Sequence, residues 1–116
     1  MNIELVRGEE FPVEFSLQDE SGTSIQAEEI VVTCRKAPYK DSPILFQKKL
    51  SENEISYSDD KYTFDILEED TKDLEYGTYG YDIKVSFDGL IEKFVGNITI
   101  NKEYNNEYSS NGQEGN

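Results

Sequence analysis

Histidine and tryptophan are missing from this 116-residue chain, and cysteine occurs once, as Cys34. Without imidazole there is no Ser–His or Cys–His nucleophile pair and no imidazole metal site. A single cysteine excludes an internal disulfide and any cysteine-rich metal site. Its setting in the apolar alternation "IVVTCRK" reads as a small buried hydrophobe. The eight glycines are scattered, so no glycine-rich phosphate loop is formed. No apolar run approaches the roughly 20 residues that a transmembrane helix needs. The opening "MNIELVRGEE" has neither the basic start nor the apolar block of a signal peptide, and the expectation is a soluble protein made in a cytoplasm.

Bases are scarce as well, 11 against 25 acids, for a net charge of −14. A free-standing nucleic-acid binder needs the opposite sign, and an anionic membrane surface is disfavoured for the same reason, so neither is expected as a direct partner. The charge is uneven. Residues 51–75 hold ten acids and two lysines, whereas residues 31–50 hold five bases and Asp41 as their one acid. Asp59, Asp60, Glu68, Glu69, Asp70 and Asp73 make up a candidate acidic interaction surface, and that polarity could seat identical copies against each other. The plainer reading of so many carboxylates is solubility. They lie in turn-like, solvated contexts that lack the desolvation needed to raise a catalytic carboxyl's pKa, so a glycosidase pair is not expected. Oxygen ligands for a loose Ca²⁺ site are abundant over residues 59–70, but the pattern of alternate aspartates around a central glycine is absent. These residues assign no enzymatic chemistry and no cofactor.

What is present is period-two alternation from end to end. Ile3 and Leu5 begin it, and "FPVEFSL" sets Phe11, Val13, Phe15 and Leu17 on one face. The "RGEE" between them carries a glycine suited to a turn or bulge. A polar loop over residues 18–29 leads to the β-branched "IVVTCRK", and "APYKDSP" (37–43) reads as a loop. Short strands follow at "ILFQKKL" and "EISYS", then a turn at Asp59-Asp60, then "YTFDI" with Tyr62, Phe64 and Ile66 on one face. "LEEDTKDL" (67–74) alone prefers helix, for one or two turns. "TYGYDIKVSF" places Tyr79, Tyr81, Ile83, Val85 and Phe87 together, and Asp88-Gly89 is the best short-range hairpin signal in the chain. "LIEKFVGNITI" returns with Phe94, Gly96, Ile98 and Ile100 on one face. From Asn101 the composition turns to Asn, Ser and Gly, the profile of a flexible tail in which Tyr104 and Tyr108 could dock on a neighbour.

At this length the chain is one domain, expected over residues 1–101, with a polar tail over 102–116. About seven short strands punctuated by turns predict an all-β, antiparallel sandwich, with a small closed barrel as the alternative. The stretch "LEEDTKDLEYGTYGY" adds a helical turn, Leu74, Gly77 and then Tyr79 at the start of a strand. Those are the parts of the tyrosine corner of immunoglobulin-like sandwiches, with Tyr81 standing where antibody domains carry a cysteine. Plain core packing of Tyr79 and Tyr81 is the rival reading.

Two stretches also resemble a family. "RGEEFPVEFSL" looks like the Arg-Gly-Asp-Thr and alternating aromatic strand that open small Ig-like proteins of tailed phages and prophages of Gram-positive bacteria. Their second signature stands here as Asp70-Thr71, Leu74, Gly77, Tyr79, Tyr81-Asp82-Ile83, the Asp88-Gly89 hairpin and "GNITI". The N-terminal domain of phage baseplate upper proteins has the same cast. The likeness spans residues 3–100, and departs from the pattern at Glu9-Glu10, where Asp-Thr is common. It implies an immunoglobulin-like fold and a non-enzymatic virion component of tail, baseplate or head surface, made in the host cytoplasm. Its implied partners are other virion proteins or its own copies, and no catalytic residue is carried over. Two other functions are compatible with the composition. One is an acidic nucleic-acid mimic that inhibits a host defence nuclease, motivated by the ten acids of residues 51–75. The other is a carbohydrate-binding module using Tyr39, Tyr57 and Tyr76 as stacking platforms.

Overall fold

In the computed structural model, which describes residues 2–37 and 41–102, eight strands form two packed sheets. They are β1 (Asn2–Val6), β2 (Phe11–Phe15), β3 (Glu29–Arg35), β4 (Ile44–Lys49), β5 (Ile55–Ser58), β6 (Lys61–Ile66), β7 (Gly77–Phe87) and β8 (Leu90–Asn101). One sheet has five strands in the order β1-β8-β7-β3-β4, and the other has three in the order β2-β6-β5. The architecture is a two-sheet sandwich, not a closed barrel. Tyr39, Tyr104, Tyr108 and nearly all of the expected tail lie outside the described residues. No helix among the described residues is long and apolar enough to cross a membrane.

Alternation becomes structure because each strand turns one set of side chains inward. Val13, Phe64, Tyr62, Ile66 and Ile55 come from the three-stranded sheet, and Ile30, Val32, Cys34, Tyr81, Ile83, Val85, Ile98 and Ile100 from the five-stranded one. Phe15 stacks on Tyr62 with ring centroids 5.6 Å apart, and Tyr57 closes on the same ring at 4.7 Å. Buried tyrosines need a partner for the hydroxyl. The Tyr62 hydroxyl accepts from the Ala27 N–H at 2.9 Å and donates to the Ile25 carbonyl at 3.1 Å, which pins the polar loop over the core.

The hairpins follow their turn residues. Asp59 and Asp60 have φ of 52° and 65°, and Asp88 and Gly89 have 49° and 73°. Positive φ at both central residues is the pattern of the type I′ turn, whose twist matches that of the flanking strands. Tyr57 donates to the Asp60 carboxylate at 3.0 Å, which holds the first of these turns.

The eight strands agree with the sandwich of about seven that was expected. Two features depart from the sequence reading. The sandwich is not wholly antiparallel, because β1 runs parallel to β8 from Asn2↔Asn97 to Val6↔Asn101. Alternation reports which face a side chain takes and carries no information on strand direction. β1 and β2 are neighbours in sequence but join different sheets, and this crossing brings β1 alongside β8 in the same sense. The helical segment narrows from 67–74 to the single turn α1 (Glu68–Thr71), and a second short turn, of 3-10 type, covers Leu50–Glu52. That second turn is held by Glu29, whose carboxylate takes the Ser51 hydroxyl and the Ser51 N–H at 3.0 Å. The Ser51 hydroxyl chiefly lowers the Glu29 pKa.

Cys34 is 1% exposed between the sheets. Burial, aided by the Asp70 carboxylate, pushes its thiol up to about 12. The thiolate is the reactive species, so Cys34 is expected to resist iodoacetamide in the native protein at pH 8 and to label fully in denaturant. Mass spectrometry of the two samples checks this. Equal labelling would contradict the burial.

Candidate interaction site

Of the residues singled out in the sequence, Asp70, Asp73, Leu74, Gly77, Tyr79 and Tyr81 lie on or just after the crossover from β6 to β7, whereas Asp59-Asp60 and Asp88-Gly89 form the β5–β6 and β7–β8 turns. Helix α1 sits at the mouth of the sandwich, and its polar side chains divide between inside and outside. Asp70 turns inward. Its Oδ2 accepts the Leu67 N–H at 2.7 Å, one arm of a capping box, and meets Lys48 Nζ at 2.7 Å. The two side chains are 12% and 8% exposed, so this is a buried ion pair. Thr71 is fully buried, and its hydroxyl oxygen accepts the Gly8 N–H at 2.9 Å from the β1–β2 turn. Gly8 takes φ 81°, in the left-handed region that favours glycine.

Arg7, from the same turn, donates to the Leu74 carbonyl at 3.3 Å and lies 4.3 Å over the Tyr76 ring. Tyr79 then closes the crossover on itself. Its hydroxyl donates to the Glu75 carbonyl at 2.7 Å, four residues upstream. Burial, with Glu75 nearby, raises its pKa above the ordinary value, so the donor stays protonated. Tyr81, two residues on, is buried opposite Cys34 in the β3–β7 pairing. Gly77 has φ of 145° and begins β7, while Leu74 is half-buried and its N–H returns to the Thr71 carbonyl.

These contacts redraw the candidate acidic surface. Asp59, Asp60, Glu68, Glu69 and Asp73 are exposed, but Asp70 is not part of a surface. No local signature marks either residue of the pair: Leu67 offers no side-chain acceptor to complete a capping-box pattern with Asp70, and Lys48 reads as one more polar side chain in a short strand. Neither could be matched to the other before β4 and α1 were placed in space. Among the described residues no group of three or more acidic or cysteine side chains could hold a metal ion. Two aromatic candidates for sugar stacking have other engagements. Tyr57 packs on Tyr62 and bonds Asp60, and the Tyr76 face carries Arg7.

At the other end of the molecule the β7–β8 hairpin projects beyond the three-stranded sheet. Phe94 faces the same way as Ile98 and Ile100, as the alternation predicts, yet it is 47% exposed while they are buried. The strands opposite end before reaching it. Leu90, Ile91 and Val95 share this exposure, a cluster that sequence reasoning did not single out.

No protein-family model and no curated protein matches the chain. Solved structures do. An endo-β-1,4-mannanase from Thermotoga petrophila aligns with 88% of this chain at a TM-score of 0.57 and 18% identity, and the aligned part is 18% of the mannanase. A chimeric titin Z1Z2 functionalized with a peptide from decorin aligns with 88% of this chain and 87% of its own at a TM-score of 0.51 and 11% identity. The chain therefore spans under a fifth of the mannanase, and both likenesses concern the fold. With its two sheets and strand order, this chain is an immunoglobulin-like β-sandwich.

Removing one member of a buried ion pair leaves the other charge uncompensated. Asp70→Ala is therefore expected to cost about 3 kcal/mol, and Lys48→Met with Asp70→Asn to recover most of it, read by urea unfolding. A double variant no better than Asp70→Ala would mean that the pair itself is not what the single substitution removes. Tyr79→Phe loses one hydrogen bond and should cost about 1 kcal/mol in the same assay. Stability equal to wild type would show that the Glu75 contact contributes nothing.

Proposed function

We propose that this chain is a non-enzymatic structural or accessory component of a phage virion, at the tail, baseplate or head surface. It works through protein–protein contacts, with other virion proteins or its own copies as partners, and reaches the particle from the host cytoplasm. The observation that carries this reading is the segment from Asp70 to Ile83. Asp70, Thr71, Leu74, Gly77, Tyr79 and Tyr81, the residues that carry the resemblance, lie along one crossover and the strand it feeds. A signature whose members hold a frame together speaks for shared ancestry more than for shared chemistry.

The side-chain chemistry also favours binding over catalysis. The chain has no histidine, its thiol is buried and protonated, and the inward carboxylate of Asp70 is neutralised by Lys48. Immunoglobulin-like sandwiches offer strand edges and loop ends as contact surfaces, and peptide addition to a sheet edge is a common use of them.

Purified particles from producing cells should contain the chain at a fixed ratio to the major tail or head proteins, as read by quantitative mass spectrometry. Its absence from particles whose producing cells express it would overturn the proposal. If the soluble protein instead competes with nucleic acid for a defence nuclease, and high salt abolishes that competition, its exposed acids would favour the mimic reading.

A further inference from the structure

Strand β8 is longer than the strand that covers it. β1 pairs only with Asn97–Asn101, whereas β7 pairs with β8 from Leu90 to Ile100. Among the described residues, Leu90–Gly96 therefore have a strand neighbour on one side alone. Leu90 faces Phe87 across the two-residue Asp88-Gly89 turn, the hydrogen-bonded position of such a hairpin. Parity then directs the backbone groups of residues 90, 92, 94 and 96 toward β7, and those of Ile91, Lys93 and Val95 outward. The Asn101 carbonyl, of the same parity, accepts from the Arg7 N–H on that outer side. This open edge is also apolar, with Ile91 71%, Val95 69% and Leu90 59% exposed.

Beside it lies a groove of about 800 Å³ between the hairpin and the segment that follows β2. Phe15, Leu17, Ile25, Val85, Phe87 and Phe94 give it apolar walls. Its charged lining is Asp19, Glu20 and Glu92 against Lys93, an acidic excess on a chain of net charge −14. Natural sheets guard long apolar edges, and an unguarded one next to an apolar groove marks a place where another strand adds.

We propose that the Leu90–Gly96 edge of β8 and this groove together bind an extended segment of a different protein, apolar at alternate positions and basic between them. The segment continues the sheet in line with β1, its backbone bonding to Ile91, Lys93 and Val95. Because the segment's side chains alternate between faces, the lysine or arginine stems run along the groove walls with their charges at Asp19, Glu20 and Glu92, and the apolar side chains lie on the opposite face beside Ile91 and Val95. A second copy of this chain fits the edge less well. The longest two-fold antiparallel pairing, over all of 90–96, sets Lys93 opposite Lys93, and each copy brings a net charge of −14. The inference rests on reading the chain as a protein-binding module. Absence from virions with peptide binding intact would overturn the location and leave the surface, whereas incorporation without peptide binding would do the reverse.

The probe is a synthetic octapeptide alternating lysine and isoleucine, compared with one alternating glutamate and isoleucine, with backbone amide exchange read by NMR on the full chain. The lysine peptide is expected to protect the Ile91, Lys93 and Val95 amides and to weaken with salt, and the glutamate peptide to bind at least about tenfold less tightly. Val95→Pro removes an outward N–H without touching the β7 ladder and should abolish protection. Ile91→Lys with Val95→Lys, which repels the basic probe, serves if the proline variant does not fold. No protection, protection at other strands, equal binding of the two peptides, or binding unchanged in the variants would each overturn the proposal. Self-association that protects the same three amides without peptide would replace the proposed occupant with a second copy.

Discussion

The buried pair of Lys48 and Asp70 is the constraint on which one end of this sandwich depends. Taking two charges out of water is costly, and the cost is offset only if each finds an oppositely charged, well-placed partner. Asp70 meets that condition with the Lys48 ammonium at 2.7 Å, and the Leu67 N–H adds a neutral donor at 2.7 Å. The pair ties β4, at the edge of the five-stranded sheet, to the crossover that leaves the three-stranded one. With α1 so placed, Thr71 can hold Gly8, Arg7 can reach Leu74 and Tyr76, and Tyr79 can bond back to Glu75. Such a pair adds less to stability than its distance suggests, because replacement by packed apolar groups is often neutral or better. Its effect here is on geometry: it permits one seating of the crossover and penalises others.

The opposite end has no such closure. There the five-stranded sheet outruns its partner, and the apolar alternation of β7 and β8 continues past the point where anything covers it. Phe94 shows this most plainly, because its strand neighbours Ile98 and Ile100 are buried on the same face. The molecule thus has a polar, hydrogen-bonded end fixed by side-chain to backbone contacts and an apolar end left open. For a protein read as a binding module, that division separates framework from contact surface. It also reassigns the acidic stretch of residues 51–75. Part of it builds turns and caps, as at Asp60 and Asp70, and the rest is solvated charge.

Much of the frame was legible in the sequence because it is encoded locally. Period-two alternation located the strands, and Asp59-Asp60 and Asp88-Gly89 located turns that require positive φ. The spacing from α1 to Tyr79 pointed to a tyrosine bonding back along the chain, and its hydroxyl does reach a carbonyl four residues earlier. Other features had no local signature. Asp70 reads as one more acid in a run of acids, and Lys48 as one more surface lysine, until two segments far apart in sequence are brought together. The parallel entry of β1 was hidden for a related reason, since alternation has no direction.

The sequence by itself determined that this chain is an all-β protein with a modest aromatic and aliphatic core, turned at fixed points and strongly acidic. Each of those properties follows from a residue and its near neighbours. Only the tertiary structure decided which polar groups are buried and which apolar ones are not. Burial belongs to the pairing of surfaces: Asp70 is inside because Lys48 comes to meet it, and Phe94 is outside because the facing sheet stops short.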